Sequence, residues 1–440
     1  MELNIEYIFI LCVLYINDIG DDLMKNHMEI PWHEYINKDS KVKIENASLT
    51  EKSSVIGRIG LMLLACGTGA WRVRSSMNTI ASELNITCIA DIGLTNISYT
   101  CIDGIDSHAQ SLSLHNTSVN TSKLARMEDF VYHFKDECKT CTCNEIHNQL
   151  DQIESIHSSY SPIILGLAAA LACSCFTFLL GGGPIEMLCA FVGAGLGNTL
   201  RMKLIKHNYT LFLNVAASVS LACLAYALLF NFLETCFGIA TQHEAGYICS
   251  MLFIIPGFPF ITSGIDLAKL DLRSGLERLA YAIIIILAAT LTAWICALVL
   301  HLQPVDFVKL HISTSTKLLL RLLTSFGGVF GFSIMFNSSK KIAASAGCIG
   351  AIANTLRLTL VDLSLPAAAA AFIGALTAGL LASMIKGNTG YPRIAITVPS
   401  IVIMVPGLYM YRAIYNLELA STCNGSCAIA SDSTLTQAYT

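Results

Sequence analysis

Charge is what this chain has least of. Asp, Glu, Lys and Arg make up 13% of its 440 residues, against about 25% in an ordinary soluble domain. The hydrophobic share is 54% and the mean hydropathy +0.60, which excludes a wholly water-soluble fold. A basic patch is also missing and the net charge is -4, so no nucleic-acid partner is expected. Lys and Arg are absent from the extreme N-terminus, where Glu2 and Glu6 stand, and no small-residue cleavage site follows. A cleaved signal peptide is therefore not expected. The apolar run Tyr7–Ile16 is too short to span a bilayer, which takes about 20 residues. It reads as a peripheral helix, or as sequence upstream of a start at Met24 or Met28. No nucleophile motif frames the many Ser, His and Asp residues, so neither an enzyme nor a cofactor is expected.

What charge there is lies mostly in residues 17–160, and most of 161–417 is apolar. A soluble domain followed by a membrane domain is expected. Hydropathy places spans at Pro162–Leu180, Pro184–Leu200, Leu211–Phe232, Tyr247–Leu267 and Glu277–Leu300. Further spans are expected at Leu318–Phe336, Ile342–Leu360, Leu365–Ile385 and Ile394–Leu417. Cytoplasmic loops carry the excess of Lys and Arg. With the end before Pro162 inside, the inner loops hold Arg201, Lys203, Lys206, Lys269, Arg273, Lys340, Lys341, Lys386 and Arg393, with Arg278 at a helix start. The outer connections hold Lys309, Lys317 and Arg412 among Glu234, Glu244, Asp306 and Asp362. The expectation is a multi-pass protein of the cell (plasma or inner) membrane with its N-terminal domain in the cytoplasm.

One string occurs twice. Asn198-Thr199-Leu200-Arg201 closes one span and Asn354-Thr355-Leu356-Arg357 another. Downstream of each lies a Pro-Gly break, IIPGFPF at Ile254–Phe260 and MVPGLYM at Met404–Met410. A repeat of five spans is odd, so its second copy enters the membrane in the opposite sense, giving an inverted-topology repeat. Two such units need ten spans and nine are legible. The polar stretch ending at Thr440 stands where the tenth should begin. A truncated reading frame, or a partner chain or homo-oligomer supplying that helix, would account for it.

Longer strings carry a resemblance. They are GRIGLMLLACGTGAWRVRSSMNTIASELNI (Gly57–Ile86), the Gly181-Gly182-Gly183 turn, IPGFPFITSGIDLAKLDLRSGLERLAYA (Ile255–Ala282) and VPSIVIMVPGLYMYRAIYNL (Val398–Leu417). Together they resemble the threonine/serine exporter family of bacterial and fungal membrane proteins, from about Ile56 to Leu417. The resemblance implies export of L-threonine and L-serine driven by the proton-motive force. A two-component branch of the family, linked to dicarboxylate export, leaves a dicarboxylate such as succinate as the alternative. A membrane-anchored enzyme acting through its soluble domain is the remote one. The expected fold is a mainly α membrane protein. It comprises an extension (1–55), a cytoplasmic α+β domain (56–160), a first five-helix repeat (161–301) and an inverted second repeat (317–440) with four helices present.

A small amino acid is a zwitterion. Its carboxylate suits N–H groups at a helix N-terminus, and its ammonium suits carbonyls at a C-terminus. A helix broken in mid-membrane offers both, because proline frees a backbone carbonyl that is tolerable only when buried or facing a wet cavity. Pro256, Gly257 and Pro259, with Pro399, Pro406 and Gly407, are the first candidates for the substrate site, or else structural kinks. Thr262, Ser263, Tyr409 and Tyr411 could bond a substrate hydroxyl or simply pack. Asn198 and Asn354 face the bundle interior as contacts or as interhelical glue. Arg201 reads as topological, and Arg357, against the charge bias, as functional or paired with Asp362. For the proton, Asp266 is preferred, with Glu186 second; a solvated or capping carboxylate is the other reading of each.

The N-terminal domain shows helical spacing over Ile56–Leu84, β-like runs at Ile86–Ile92, Ile97–Cys101 and Ser111–Leu114, then helices near Leu124–Glu137 and Cys143–Ser158. Cysteine is abundant, at 17 residues. Cys138, Cys141, Cys143 and His147 are compactly spaced, where structural zinc uses two separated pairs. Reduced cytosolic thiols, with no metal, are expected.

Overall fold

The computed structural model describes residues 30–34, 41–115, 117–156, 159–238, 246–302, 307, 312–389, 393–405, 407 and 411–413. Pro406, Tyr409 and the stretch expected to precede a tenth helix lie outside the described residues. The described fold is mainly helical, with one small sheet.

The N-terminal unit begins with α1 (Leu49–Ala65), where Ser48 and Glu51 form a capping box. The long helix expected over Ile56–Leu84 is instead two helices, α1 and α2 (Ala70–Glu83). The chain turns between them at Gly67, whose φ of +78° is left-handed and suits glycine. Three antiparallel strands follow in the order β1 (Thr87–Ile92), β2 (Asn96–Asp103), β3 (Asp106–Ser113). Alternation along β1 and β2 turns Cys88, Ala90, Ile92, Ile97, Tyr99 and Cys101 inward. α1 lies close enough to the sheet that a Cβ at Gly57 would collide with Tyr99. Helices α3 (Thr121–His133) and α4 (Cys143–Glu154) complete a separate apolar core.

Next come α5 (Pro162–Leu179), α6 (Pro184–Lys206), α7 (Leu211–Phe237), the short α8 (Gly246–Ser250), α9 (Gly257–Ala268) and α10 (Leu272–Val299). α11 (Thr314–Met335), α12 (Lys340–Asp362), α13 (Ala367–Thr389) and α14 (Arg393–Val402) follow. Among the described residues six helices are long and apolar enough to cross a membrane, and the bent pair Gly246–Ile254 with Gly257–Ala268 makes up to seven. Two expected spans stand outside that count: α6 has the length but carries Glu186, Asn198 and Arg201, and the span expected over Ile394–Leu417 is described as α14 to Val402, with part of the remainder outside the described residues. Both pack inside the bundle, α6 between α5 and α7 and α14 against α11, α12 and α13. The bundle is apolar outside as well as in: Leu228, Phe232, Phe372 and Leu380 are exposed while Asn214, Ser218 and Thr290 are buried. That distribution suits a lipid surround. Small residues let the helices approach, as at Gly331, where a Cβ would lie 2.5 Å from the Ala168 carbonyl.

The N-terminal unit docks on two turns of the bundle. Thr121 N–H donates to Phe336 O at 3.0 Å, and Ser122 Oγ to Asn337 O at 2.6 Å. Asn337 in turn donates to Asn120 Oδ1 at 2.9 Å. The second contact is with the turn between α9 and α10, where Arg74 pairs with Asp271, Arg273 with Asp91, and Leu94 N–H donates to Glu277 at 2.6 Å.

Candidate functional site

The two Pro-Gly breaks have the same local bonding. At the first, Ile254 N–H reaches Met251 O (3.0 Å), Ile255 N–H reaches Leu252 O (3.2 Å) and Gly257 N–H reaches Ile255 O (2.8 Å). At the second, Met404 reaches Ile401 O (2.9 Å), Val405 reaches Val402 O (3.1 Å) and Gly407 reaches Val405 O (2.8 Å). Pro256 sits at φ -79° and ψ 60°, the centre of an inverse γ-turn, and the helix axis bends there by 59°.

The breaks also meet each other. A Cβ on Gly257 would collide with Val402 and lie 3.6 Å from Val405, while a Cβ on Gly407 would collide with Ile255 and lie 3.4 Å from Leu252. Each glycine thus faces the partner break at equivalent residues. On one side of this crossing Tyr247 and Tyr411, both buried, join hydroxyl to hydroxyl at 2.8 Å. On the other, facing the N-terminal unit, Phe258 packs edge-on to Phe336 at 5.4 Å.

Thr262 Oγ1 donates to Phe258 O (3.1 Å) and Pro259 O (3.2 Å), and Ser263 Oγ to Gly275 O (2.8 Å). Both hydroxyls are satisfied by backbone carbonyls. Asn198 Nδ2 donates to Leu165 O at 2.8 Å and its buried Oδ1 has no partner among the described residues. Its mate Asn354 donates to Ser325 Oγ at 2.9 Å and accepts from Arg357 at 3.2 Å. Glu186, 1% exposed, accepts from Gly183 N–H at 2.9 Å at the start of α6. The expected Arg357–Asp362 pair is not formed. Asp362 binds Lys317 at 3.2 Å and Arg321, which approach it from α11.

Asp266 does not face an open mouth. It is fully buried, and its Oδ2 accepts from Ala70 N–H (3.1 Å) and Ser274 Oγ (3.0 Å) and lies 3.3 Å from Arg278 Nε. Arg278 also donates to Gly67 O (3.3 Å) and Thr68 O (2.7 Å). The start of α2 therefore sits over the α9–α10 turn, its N–H dipoles directed at a carboxylate. A Cβ on Gly69 would lie 2.6 Å from Asp266 Oδ1. Sequence reasoning had no signal for this contact beyond an acid and a base at helical spacing.

In the N-terminal unit, Cys138 Sγ is directed at Gln149, Cys141 Sγ at Glu137 O and Cys143 Sγ at Glu51 O, so these thiols do not converge. Burial pushes the Cys138 and Cys143 thiols up to about 12, which keeps them protonated. His147 is buried between Arg58 and Ser54. Arg58 can only donate, so it fixes Nδ1 as acceptor and leaves Nε2–H to donate to Ser54 Oγ at 3.1 Å. In that tautomer His147 cannot take a proton from Ser54. An open cleft of about 540 Å³ runs along α2 from Trp71 to Glu83, on the N-terminal unit rather than at the breaks.

Comparison with known proteins completes the picture. Residues 54–300 match the family model described as "Putative threonine/serine exporter", and residues 321–434 match "Threonine/Serine exporter, ThrE". The "Probable threonine/serine exporter" of Mycobacterium tuberculosis (strain ATCC 25618 / H37Rv) is 21% identical over 386 residues, covering 84% of this chain and 70% of that protein. No solved structure matches. With apolar helices fit to cross a bilayer, two bonded breaks, and a family model covering more than half its length, this chain belongs to the threonine/serine exporter family of multi-pass membrane transporters.

Proposed function

We propose that this chain is a secondary-active exporter of small hydroxy amino acids, L-threonine and L-serine, driven by the proton-motive force. The observation that carries the reading is the reciprocal packing of Gly257 on Val402 and Gly407 on Ile255. Matching bonds at both breaks support two inverted repeats, 161–301 and 317–440, that rock about this crossing. The solute then sits between the breaks, against Pro256, Gly257, Pro259, Pro406 and Gly407. Thr262, Tyr411, Asn198 and Asn354 line its flanks.

The N-terminal unit lies on the cytoplasmic side in this reading. Support comes from Lys269, Arg273, Lys340 and Lys341, which cluster at the turns it covers. Asp266 is the proton-coupling group. Protonation removes its charge from Arg278 and the start of α2, weakening the contact that closes this end, while Glu186 responds at the opposite end.

The test is efflux from proteoliposomes loaded with a panel of amino acids and dicarboxylates, with and without a proton gradient. Gradient-dependent efflux of L-threonine and L-serine that fails in Asp266→Asn is expected. Efflux indifferent to the gradient would remove the proton from the scheme. Efflux of succinate alone would overturn the substrate.

A further inference from the structure

We infer that Arg201 holds the carboxylate of the transported solute beside the first break. The inference rests on the exporter reading and names a residue within its site. In an unbroken helix the Gly257 N–H would reach the Phe253 carbonyl. Here it turns back to Ile255 O, and the Phe253 carbonyl accepts from Arg201 at 3.3 Å.

α6 is shaped to bring Arg201 there. Gly193, Gly197 and Arg201 recur every four residues, on one helix face. A Cβ on Gly193 would lie 3.0 Å from Ser250 Cβ, and one on Gly197 2.8 Å from the Phe253 ring. Two glycines let α6 press against the broken helix, and one turn further on Arg201 reaches the break. Its place in the chain suggests a charge at a helix end; its contact is with the interior.

A guanidinium has five N–H donors. Arg201 makes this one hydrogen bond and, among the described residues, no ion pair. Arg58, Arg72, Arg74, Arg273, Arg278 and Arg321 each have a carboxylate. A half-buried cation among membrane helices whose partner is a backbone carbonyl and not a counter-charge is a candidate functional site, and an arriving anion would offset its desolvation further. Tyr281 lies within electrostatic reach of it. The planar fork of Arg fits a carboxylate with two parallel bonds. Binding there would release the Phe253 carbonyl to accept from the solute ammonium, so both ends of a zwitterion are met within one turn of the break. The counterpart Arg357 donates instead to Asn354 on its own helix at 3.2 Å.

The experiment uses the full chain in proteoliposomes, with L-threonine as substrate and L-threoninol, which lacks the carboxylate, as competitor. Arg201→Gln should raise the half-saturating L-threonine concentration roughly 10- to 100-fold, the worth of hydrogen bonds to a charged group. Inhibition by L-threoninol should be unchanged. Arg201→Lys keeps the charge but loses the fork, so it should fall between; it decides the matter if the Gln variant does not fold. An unchanged ratio between the two ligands in both variants would overturn the inference. If the wild type carries succinate and not threonine, the amino-acid reading falls. The Arg201 inference then stands or falls on whether the same variants lose succinate relative to butane-1,4-diol.

Discussion

Asp266 and Arg278 pair at 3.3 Å with both side chains almost wholly excluded from solvent, directly beneath the first residue of α2. The pair joins the broken helix, the helix after it and the N-terminal unit. Nothing in the spacing of the two residues announces the third partner.

Removing one member of a buried pair strands the other, at about 3–5 kcal/mol. Arg278→Ala should therefore loosen the N-terminal unit from the bundle. Limited proteolysis in the Gly67–Ala70 connection should accelerate sharply, while α11–α12 contacts at Phe336–Ser338 hold the rest in place. Proteolysis at the wild-type rate would show that the pair does not hold the unit down.

Gly69→Ala tests the same contact without touching a charge. Its Cβ would press on Asp266 Oδ1, so overpacking by about 1–3 kcal/mol is expected. Thermal melting of the full chain should register this, with a smaller loss in Gly69→Ala/Asp266→Asn than the two single losses summed.

Gly257→Ala and Gly407→Ala should each abolish transport while costing about 1–3 kcal/mol in stability. Pairing each with its facing truncation, Val402→Ala for Gly257 and Ile255→Ala for Gly407, should restore part of the activity. Full activity in either single variant would mean that the breaks need not touch.

Tyr247→Phe removes the 2.8 Å bond to the Tyr411 hydroxyl, a cost of about 0.5–1.5 kcal/mol. The double Phe variant should cost less than the two singles summed. Calorimetric or denaturant midpoints of the three variants decide this, and strict additivity would exclude the bond.

His147 is pushed down to about 3, first by burial and then by the Arg58 charge. The unfolded chain takes up this proton at about 6.5, before the folded one does. Stability from neutral His147 is thus fully present above that pH and lost as pH falls toward 3, at about 1.4 kcal/mol per pH unit. The protection of α4 amides, taken as the intrinsic over the observed exchange rate from pH 7 to 4, should fall accordingly, and His147→Gln should flatten the slope.

Much of the framework was legible beforehand. The Asn-Thr-Leu-Arg copies marked equivalent places on α6 and α12, and Pro256-Gly257 marked a real break. The β-like runs at Ile86–Ile92 and Ile97–Cys101 marked strands β1 and β2. The errors have local causes. Helical periodicity in Ile56–Leu84 does not reveal a turn at Gly67 that preserves the same apolar face on both sides. Arg357 and Asp362 look like partners in sequence, yet Arg321 and Lys317 of α11 stand nearer the carboxylate.

By itself the sequence determined a membrane chain, a repeat and two breaks, because apolar runs, duplicated strings and proline act locally and leave local marks. Only the tertiary structure decided that the breaks cross glycine to side chain, that α2 covers Asp266, and that Arg201 points at a freed carbonyl. Those contacts join residues far apart in the chain, and their geometry follows from how closely small residues let helices approach.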